Sequence, residues 1–228
     1  MYNIAVILAG GIGARVGGNM PKQLLPLADG KTILEHSVDA FEQASRIDEV
    51  CIVMHSDYIC EAEKMLQVND WQKVKHIVAG GKERWESSVN AIRLYQERLE
   101  SEQFAEANIL LHDAARPFVS QRIIGDVCEA LETNEAVVVA IPSTDTVYEM
   151  QDGCVARIPN RSTIMRAQTP QAFRLSLIAK AYAVETQYIA SVQATDDCGI
   201  VHKNLPNTPI YIVLGEEQNK KITFKEDL

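Results

Sequence analysis

The fold can be argued from one segment near the start of the chain, which reads Ala5-Val6-Ile7-Leu8-Ala9-Gly10-Gly11-Ile12-Gly13-Ala14-Arg15-Val16-Gly17-Gly18-Asn19-Met20-Pro21-Lys22-Gln23. An apolar run typical of a β-strand leads into a glycine-rich loop that carries Arg15 and, seven residues later, Lys22. Glycine lets backbone N–H groups approach a ligand closely, so such a loop can cradle phosphate groups. The two cations would complement the charge of a triphosphate.

This loop matches neither of the two commonest phosphate-binding motifs. A P-loop requires Lys-Ser/Thr after its last glycine, but Asn19-Met20 stands there. A dinucleotide fingerprint requires a third glycine where this chain has Val16. Taken alone, the loop is equally compatible with an ordinary strand-to-helix turn that carries a solvated arginine. Its function therefore has to be argued from the rest of the chain.

The composition indicates an acidic globular protein. The chain has 228 residues, 46% of them hydrophobic, and a formal net charge of -9, which argues against a general binder of nucleic acid or membrane surfaces. The five cysteines include no C-x-x-C pair, which favours reduced thiols over a disulfide framework or a zinc site. We see no signal-peptide pattern and no apolar run of membrane-spanning length, so we expect a cytoplasmic protein.

The order of apolar runs predicts an α/β fold with a mostly parallel sheet flanked by helices, because β-branched runs alternate with amphipathic stretches. We expect strands at Ile4–Leu8, Val50–Met54, Val74–Val78, Ala107–Leu111, Ala136–Ile141, Ile210–Leu214 and Lys221–Thr223. We expect helices at Thr32–Ala44, Tyr58–Leu66, Glu83–Leu99, Arg122–Thr133, Arg174–Tyr188 and Thr195–Lys203, the first opened by a capping box and the fourth capped by Ser120.

The alternation breaks after Pro142. Residues 146–150 and 155–158 flank a Gln151-Asp152-Gly153 turn, which predicts a β-hairpin with little core of its own. We therefore expect a single domain over residues 1–228 with a projecting β-arm at about 143–162. Such an arm should pack on something, for example a second subunit.

Three loops should meet at one edge of the sheet, because open α/β sheets bind ligands outside the carboxyl ends of their strands. These are the first glycine loop, Gly80-Gly81 and the segment around Asp113. Asp113 suits Mg²⁺, which prefers one or two carboxylates plus substrate phosphates. The cations that could line the same cleft are Arg15, Lys22, Lys82, Arg84, Arg116 and Lys221.

This constellation suits phosphoryl or nucleotidyl transfer, which needs positioning and charge neutralisation rather than covalent help. Each cation taken singly is also compatible with a solvated surface residue, and Asp113 with a turn cap. Other chemistries have less support. The histidines show no metal-binding spacing, and there is no G-x-S-x-G elbow. Cys198 is expected to be a buried structural thiol.

Six short motifs extend over nearly the whole chain. They are Leu8-Ala9-Gly10-Gly11-Ile12-Gly13-Ala14-Arg15, Pro21-Lys22-Gln23, Gly80-Gly81-Lys82-Glu83-Arg84, His112-Asp113-Ala114-Ala115-Arg116-Pro117, Gln168-Thr169-Pro170-Gln171 and Asn219-Lys220-Lys221-Ile222-Thr223. In this order they resemble the motifs of the polyol-phosphate cytidylyltransferases, which comprise the 2-C-methyl-D-erythritol 4-phosphate enzymes and their ribitol-5-phosphate relatives.

The resemblance implies a Rossmann-like nucleotidyltransferase fold and a reaction of Mg²⁺-CTP with a polyol phosphate that gives a CDP-polyol and pyrophosphate. It implies that Arg15, Lys22 and Lys221 are catalytic and that Asp113 binds the metal. It places the nucleotide contacts at Ala9, Gly10, Gly11, Gly13, Gly81, Lys82, Ser87 and Ala114. It places the polyol-phosphate contacts at Asp113, Arg116, Thr146, Arg161 and Thr195.

The same resemblance implies a homodimer in which the arm carries Thr146 and Arg161 into the partner's substrate pocket. The segments Ile158–Arg161 and Cys198-Gly199 look more like the ribitol relatives, whereas His112–Arg116 suits the methylerythritol branch better. We therefore lean to ribitol 5-phosphate as the substrate. Two alternatives stay open: a sugar-1-phosphate nucleotidylyltransferase, which would be expected to lack His112–Pro117 and the arm, and a non-catalytic nucleotide-sensing protein.

Overall fold

The computed structural model describes residues 1–11, 20–101, 105–186 and 196–227. Its centre is a seven-stranded sheet in the order β3-β2-β1-β4-β8-β5-β9. All strands run parallel except β8, which is antiparallel to both of its neighbours. The strands of this sheet are β1 (Tyr2–Ala9), β2 (Glu49–Met54), β3 (Val74–Ala79), β4 (Ala107–Asp113), β5 (Ala136–Pro142), β8 (Met165–Arg174) and β9 (Tyr211–Leu214). The predicted α/β class with a mostly parallel sheet is confirmed.

Among the described residues, six α-helices connect and cover the strands. They are α1 (Ile33–Glu42), α2 (Ile59–Val68), α3 (Arg84–Glu100), α4 (Gln121–Thr133), α5 (Leu175–Thr186) and α6 (Asp197–Asn204). The predicted capping box opens α1, where Thr32 accepts a hydrogen bond from the Glu35 N–H and Glu35 accepts one from the Thr32 N–H. Ser120 caps α4 by accepting a hydrogen bond from the Ile123 N–H. These local signals fix where the helices begin, and hence which loops face the carboxyl edge of the sheet.

The sheet has a hydrophobic layer on each face. One layer packs α1 and α4 against the sheet, and Leu34, Val38 and Phe41 are fully buried in it. The other layer packs α3, α5 and α6 against the opposite face, where Ile92 and Tyr95 are buried. Since both faces are covered, the strands read as continuous apolar runs, as expected for a parallel sheet. Within the described ranges, no helix is long and apolar enough to cross a membrane.

Strand β8 was not predicted, although it lies between β4 and β5 near the middle of the sheet. Its centre reads Gln168-Thr169-Pro170-Gln171, and such a polar, proline-containing run argues against a central strand. The prediction failed because these polar side chains are buried and bonded to distant segments: Gln171 to Asp196, and Thr169 to His112. The predicted strand at Lys221–Thr223 is wrong. That segment is irregular, and the Ile222 N–H donates to the loop carbonyl of Ala115.

A separate two-stranded sheet lies between β5 and β8 in the chain. Its strands β6 (Glu149–Gln151) and β7 (Cys154–Arg157) are antiparallel, and every side chain in them is exposed. The turn between them contains Asp152 at φ 50° and Gly153 at φ 78°. Two successive residues at positive φ match the twist of a hairpin, which explains the Asp-Gly pair.

The amino edge of the sheet is tied together by the buried carboxylate of Glu49. It accepts hydrogen bonds from Tyr2 Oη at 2.9 Å, Tyr95 Oη at 2.8 Å and Arg98 Nη1 at 2.6 Å. Burial alone would raise the pKa of Glu49, but the bonds from Arg98 and the two tyrosines hold it below its usual value. This cluster joins β1, β2 and α3 at the end of the sheet opposite the carboxyl edge.

We predict that Glu49→Gln lowers the free energy of unfolding by about 2 kcal/mol at pH 7, because hydrogen bonds to a charged group are lost. The folded-state pKa lies below that of the unfolded chain, so the contribution is fully present above the ordinary value of 4.5. It is lost as the pH falls through the folded-state pKa. Urea unfolding at pH 7, 5 and 3 measures the difference between the variant and the wild type.

The control is Glu61→Gln, which alters a half-exposed carboxylate whose Lys64 partner lies 3.8 Å away. Such a surface pair contributes less than about 1 kcal/mol, so this variant should stay close to the wild type. A Glu49→Gln effect that is equally large at pH 3 and pH 7 would show that the loss is one of packing rather than charge.

Candidate active site

A cavity of about 360 Å³ opens at the carboxyl edge of the sheet. The ends of β1 and β4, the loop after β3 and the start of α3 converge on it. The predicted meeting of the first glycine loop, Gly80-Gly81 and Asp113 is confirmed as far as the loops are described, since Gly10, Gly11, Gly81 and Asp113 line this cavity. The cavity is lined by Leu8, Gly10, Gly11, Lys22, Gln23, Gly81, Lys82, Glu83, Arg84, Ser87, Asp113, Ala115, Lys221 and Thr223.

Two glycines let the backbones of the first and second glycine loops approach each other at the cavity. A Cβ on Gly10 would lie 2.8 Å from Ser87 Oγ, and one on Gly80 would lie 2.9 Å from the same atom. Among the described glycines, positive φ occurs at Gly30 and Gly153 and not at Gly10 or Gly80. Gly10 and Gly80 are therefore needed for the space that a missing Cβ leaves rather than for an unusual backbone conformation. Ser87 Oγ in turn accepts a hydrogen bond from the Gly81 N–H at 3.1 Å.

Gln23 supports the first glycine loop through hydrogen bonds from its side-chain amide. Its Nε2 donates to the Ala9 carbonyl at 3.2 Å and to the Gly11 carbonyl at 2.7 Å, and its side chain is buried. The two contacts orient the backbone on either side of Gly10. Gln23 belongs to the Pro21-Lys22-Gln23 motif, but the sequence alone predicts no role for it. Its buried position directly after Lys22 becomes informative only with the loop geometry.

Asp113 is the buried carboxylate of the site and lies at the end of β4. Its Oδ1 accepts a hydrogen bond from Arg84 Nε at 3.0 Å, and its Oδ2 accepts one from Lys221 Nζ at 2.6 Å. Burial alone would raise the pKa of Asp113, but these two cations hold it far below the usual range. The carboxylate is therefore ionised at neutral pH.

Arg84 connects Asp113 to a second buried carboxylate that the sequence analysis missed. Arg84 Nη1 donates to Asp197 Oδ2 at 2.7 Å, and Asp197 Oδ1 accepts a hydrogen bond from Tyr182 Oη at 2.6 Å. Burial would lower the pKa of Arg84, but its two carboxylate partners raise it. The guanidinium is thus a fixed cation on the cavity wall.

Lys22 is buried in the cavity wall, as its predicted role requires. Its Nζ donates a hydrogen bond to the Ile222 carbonyl at 2.6 Å. The segment that follows the first glycine loop therefore meets the C-terminal segment at this atom. A buried ammonium group in the wall of this cavity is well suited to an incoming anion. Of the six cations predicted to line one cleft, Lys22, Lys82, Arg84 and Lys221 line this cavity, whereas Arg116 does not and Arg15 lies outside the described residues.

Other predicted residues lie away from the cavity lining. Arg116 donates to the Asn219 and Ala167 carbonyls instead. Ala114 is buried, and its carbonyl accepts a hydrogen bond from Ser37 Oγ. Thr146 and Arg161 are exposed beside the hairpin, where Arg161 donates to the Thr144 carbonyl. The predicted positions Gly13, Arg15 and Thr195 lie outside the described residues.

His112 is a structural residue next to Asp113. It is fully buried, and burial lowers its pKa to about 4, so the ring is neutral at physiological pH. Its Nε2 lies 3.0 Å from the Arg116 carbonyl and therefore carries the proton. Its Nδ1 then accepts a hydrogen bond from Thr169 Oγ1 at 3.1 Å. The ring fixes the loop after β4, on which Asp113 and Arg116 lie.

The donor set fits a magnesium ion that is shared with phosphate ligands. No group of three His, Cys, Asp or Glu side chains able to hold a metal occurs in the part of the chain that the structure describes. Asp113 offers a buried carboxylate at the cavity, and each of its oxygens has one protein partner, which leaves lone pairs available. Mg²⁺ needs no more than one or two carboxylates when phosphates and water complete the octahedron.

Fold and site together define a nucleotidyltransferase: the carboxyl edge of a mostly parallel sheet presents a glycine-walled cavity that is lined by lysine and arginine side chains and by the ionised carboxylate of Asp113. The family model of 2-C-methyl-D-erythritol 4-phosphate cytidylyltransferase matches residues 3–228. The chain belongs to this cytidylyltransferase family, and the resemblance found in its sequence is confirmed.

Three relatives illustrate the family. The 2-C-methyl-D-erythritol 4-phosphate cytidylyltransferase of Thermobifida fusca is 44% identical over 229 residues, covering 98% of this chain and 89% of the relative. The ribitol-5-phosphate cytidylyltransferase of Lactiplantibacillus plantarum is 36% identical over 226 residues, covering 98% and 94%. The crystal structure of 4-diphosphocytidyl-2C-methyl-D-erythritol synthase from Anaerococcus prevotii has a TM-score of 0.82 and 29% identity, covering 99% and 92%.

We predict that Gly10→Ala weakens CTP binding about tenfold, because overpacking of this kind costs about 1–3 kcal/mol. The added Cβ displaces Ser87 Oγ and breaks its bond to the Gly81 N–H. Gly125→Ala in α4 is the control, since its Cβ would meet nothing within 4 Å. Isothermal titration with CTP and Mg²⁺ should find the control unchanged. Equal affinity of all three proteins would contradict a role for this close approach.

Proposed function

We propose that the protein transfers a cytidylyl group from CTP to ribitol 5-phosphate, giving CDP-ribitol and pyrophosphate. The observation that carries the transfer is the cavity in which Lys22, Lys221 and ionised Asp113 lie beside the glycine loops. Membership of a cytidylyltransferase family supports CTP as the nucleotide. In this proposal residues 1–228 form one catalytic domain, and residues 143–162 are its arm.

In the proposed reaction, an oxygen of the polyol phosphate attacks the α-phosphorus of CTP. The bond to the bridging oxygen breaks, and pyrophosphate leaves with the electron pair. Lys22 would neutralise negative charge that develops on the phosphates, together with Arg15, whose part rests on the family resemblance. Lys221, held 2.6 Å from Asp113, would reach the α-phosphate. Charge stabilisation of this kind is the main source of rate in nucleotidyl transfer.

Asp113 would hold Mg²⁺, which when bound neutralises the phosphate charge as a Lewis acid. The carboxylate is suited to this because it stays ionised and its orientation is fixed from both sides by Arg84 and Lys221. Those two cations also keep Asp113 from repelling the triphosphate before the metal arrives. The site would thus admit an anion despite the acidic net charge of the chain.

Cytosine would lie against Gly10, Gly81 and Ser87. The backbones approach closely there, so a pocket of fixed width would exclude purines by size. Main-chain donors and acceptors from Ala9, Gly11 and Lys82 would distinguish the exocyclic amine of cytosine from the carbonyl oxygen of uracil. Gln23 would support this discrimination by holding the Ala9 and Gly11 carbonyls in place.

The choice of ribitol 5-phosphate rests on sequence features near the polyol side of the site. Cys198 is buried at the start of α6, next to the Asp197 that binds Arg84, where many methylerythritol enzymes have a smaller residue. The segment Ile158–Arg161 also resembles the ribitol relatives. The main competing substrate is 2-C-methyl-D-erythritol 4-phosphate, which appears in the name of the relative with 44% identity.

We expect pyrophosphate release from CTP and Mg²⁺ with ribitol 5-phosphate, and at least tenfold lower kcat/KM with 2-C-methyl-D-erythritol 4-phosphate. A coupled pyrophosphate assay measures both substrates, with UTP, ATP and a sugar 1-phosphate as further arms. The reverse preference would overturn ribitol specificity alone. Equal use of UTP or ATP would overturn the cytosine pocket, and use of the sugar 1-phosphate would favour the alternative enzyme class. No release in any arm would favour a nucleotide sensor.

Lys22→Met should lower kcat by about 10²–10³-fold with little change in the circular dichroism spectrum, because one charge-stabilising donor in a buried site supplies that much. Methionine keeps most of the side-chain volume, so the cavity wall is retained. Lys75→Met, on the exposed face of β3, is the matched control and should retain full turnover. A Lys22→Met enzyme with wild-type turnover would remove Lys22 from the mechanism.

The arm has the surface expected of an element that docks on a second subunit. Tyr148, Met150, Val155 and Ile158 each expose more than half of their surface, at 58%, 76%, 58% and 60%. We propose a homodimer in which the partner's Thr146 and Arg161 complete the polyol-phosphate site, since a guanidinium fork matches phosphate oxygens. Its proposed compartment is the cytoplasm, which suits a chain whose five cysteines are free thiols.

Mixing two inactive variants tests this shared site. In a heterodimer of Lys22→Met with Arg161→Ala, one of the two sites regains both an intact Lys22 and an intact Arg161 from different chains. We expect recovery of up to about a quarter of wild-type activity after subunit exchange, given statistical mixing and one active site in each heterodimer. No recovery, although native mass spectrometry shows the exchanged heterodimer, would place Arg161 and Lys22 in the same chain's site. A monomeric protein would overturn the dimer itself.

A further inference from the structure

The segment after β9, residues 215–223, crosses the carboxyl edge of the sheet as an irregular strap, here called the C-terminal strap. Its main chain is anchored at both ends. The Gly215 N–H donates to the Ala140 carbonyl at 2.9 Å, and the Ile222 N–H donates to the Ala115 carbonyl at 2.8 Å. Between these anchors lie a single turn over Glu217–Asn219 and then Lys221, whose Nζ reaches Asp113.

Asn219 fastens the middle of the strap to β8. Its side chain is fully buried, and its Nδ2 donates to the Thr169 carbonyl at 2.9 Å and to Gln168 Oε1 at 3.2 Å. Its own carbonyl accepts a hydrogen bond from Arg116 Nη1 at 2.8 Å. Three bonds therefore hold one residue, which lies two positions before Lys221.

The same strand residue that holds Asn219 also holds Asp113. The Asp113 N–H donates to Thr169 Oγ1 at 3.1 Å, while the Thr169 carbonyl accepts the bond from Asn219. Lys221 and Asp113 are thus positioned by a common support, although they are 108 residues apart. The 2.6 Å contact between them depends on both segments keeping their places on β8.

We propose that Asn219 is the positioning residue for Lys221. It fixes the C-terminal strap so that Lys221 Nζ faces Asp113 and the phosphates that would bind there. The inference rests on the proposed function in taking Lys221 as catalytic. Ile222 has anchors of its own, namely its bond to Ala115 and complete burial, so loss of Asn219 acts on Lys221 rather than on the Ile222 carbonyl that holds Lys22.

The contacts show why an amide is needed at this position. Asn219 uses both hydrogens of Nδ2, whereas its Oδ1 has no hydrogen-bond partner within the described residues. Gln168 cannot turn to offer its own amide, because its Nε2 donates to the Glu216 carbonyl at 2.8 Å. An aspartate of the same size would face two oxygens with no donor, so it could not hold the strap.

The kinetic test uses two variants, Asn219→Asp, which keeps the shape, and Asn219→Ala, which adds no charge. Asn108 provides the matched control. It is buried at the opposite end of β4, its Nδ2 donates to Asn3 Oδ1 at 2.7 Å, and its Oδ1 accepts from Arg174. Asn108→Asp and Asn108→Ala should lower the Tm without changing kcat by more than about twofold, whereas the Asn219 variants lower kcat at least about tenfold at temperatures where they are folded.

A double-mutant cycle separates positioning from general loss of structure. If Asn219 acts through Lys221, then adding Asn219→Ala to Lys221→Ala lowers kcat by less than about threefold further, because the group being positioned is already gone. An equal loss in both backgrounds would overturn the proposal. A single Asn219→Ala variant with wild-type kcat would also overturn it.

A second readout does not depend on any enzymatic activity. Lys221 Nζ is held 2.6 Å from Asp113 Oδ2, and acylation must break this contact, so a water-soluble acylating reagent should label Lys221 slowly. In Asn219→Ala we expect its labelling rate, measured by peptide mass spectrometry relative to exposed Lys75, to rise at least about threefold, with no change in Asn108→Ala. An unchanged rate would overturn the positioning role even in an active enzyme, and a raised rate would support it even if CTP proved not to be the substrate.

Discussion

The structure of the site depends on one interaction, the pairing of the Asp113 carboxylate with Arg84 on one side and Lys221 on the other. A buried carboxylate is costly unless it is paired and hydrogen-bonded, and here two cations from distant parts of the chain do this. Arg84 opens α3 and Lys221 comes from the C-terminal strap, so the ion pairs fix the relative positions of a strand end, a helix start and the strap. These three segments form part of the cavity wall, together with the first glycine loop, Lys22 and the loop after β3.

Each of the two edges of the sheet contains a buried carboxylate that is stabilised by hydrogen-bond donors, but the surroundings of the two carboxylates differ. At the amino edge, the Glu49 carboxylate is enclosed by Tyr2, Tyr95 and Arg98, and its contacts are satisfied within the fold. At the carboxyl edge, Asp113 keeps open lone pairs and faces a cavity. The first cluster contributes to stability, while the second leaves the ionised Asp113 and its partners Arg84 and Lys221 at a cavity, where a ligand can replace some of their contacts.

The sequence predicted most of the sheet and the meeting point of the site, because apolar runs mark buried parallel strands and glycines mark the loops after them. Strand β8 escaped because its buried side chains are polar and are satisfied by partners that only the tertiary structure supplies. Asp197 and Asn219 could not be predicted either, because their partners are also distant in sequence. Asp197 is 113 residues from Arg84, and the acceptors of Asn219 lie on β8. The alternation at residues 221–223 was misleading, since Ile222 is buried against a loop rather than in a sheet.

The antiparallel course of β8 has a consequence for how the arm can change. Because β5 ends and β8 begins at the same edge, Pro142 and Met165 are paired neighbours, and everything between them leaves and re-enters the sheet at one point. Because its two ends are adjacent, the segment between Pro142 and Met165 can be lengthened, shortened or exchanged without altering the register of any other strand. Under the proposed function, in which Thr146 and Arg161 of the arm bind the polyol phosphate, exchange of the arm alone would change the acceptor preference and leave the nucleotide-binding framework intact.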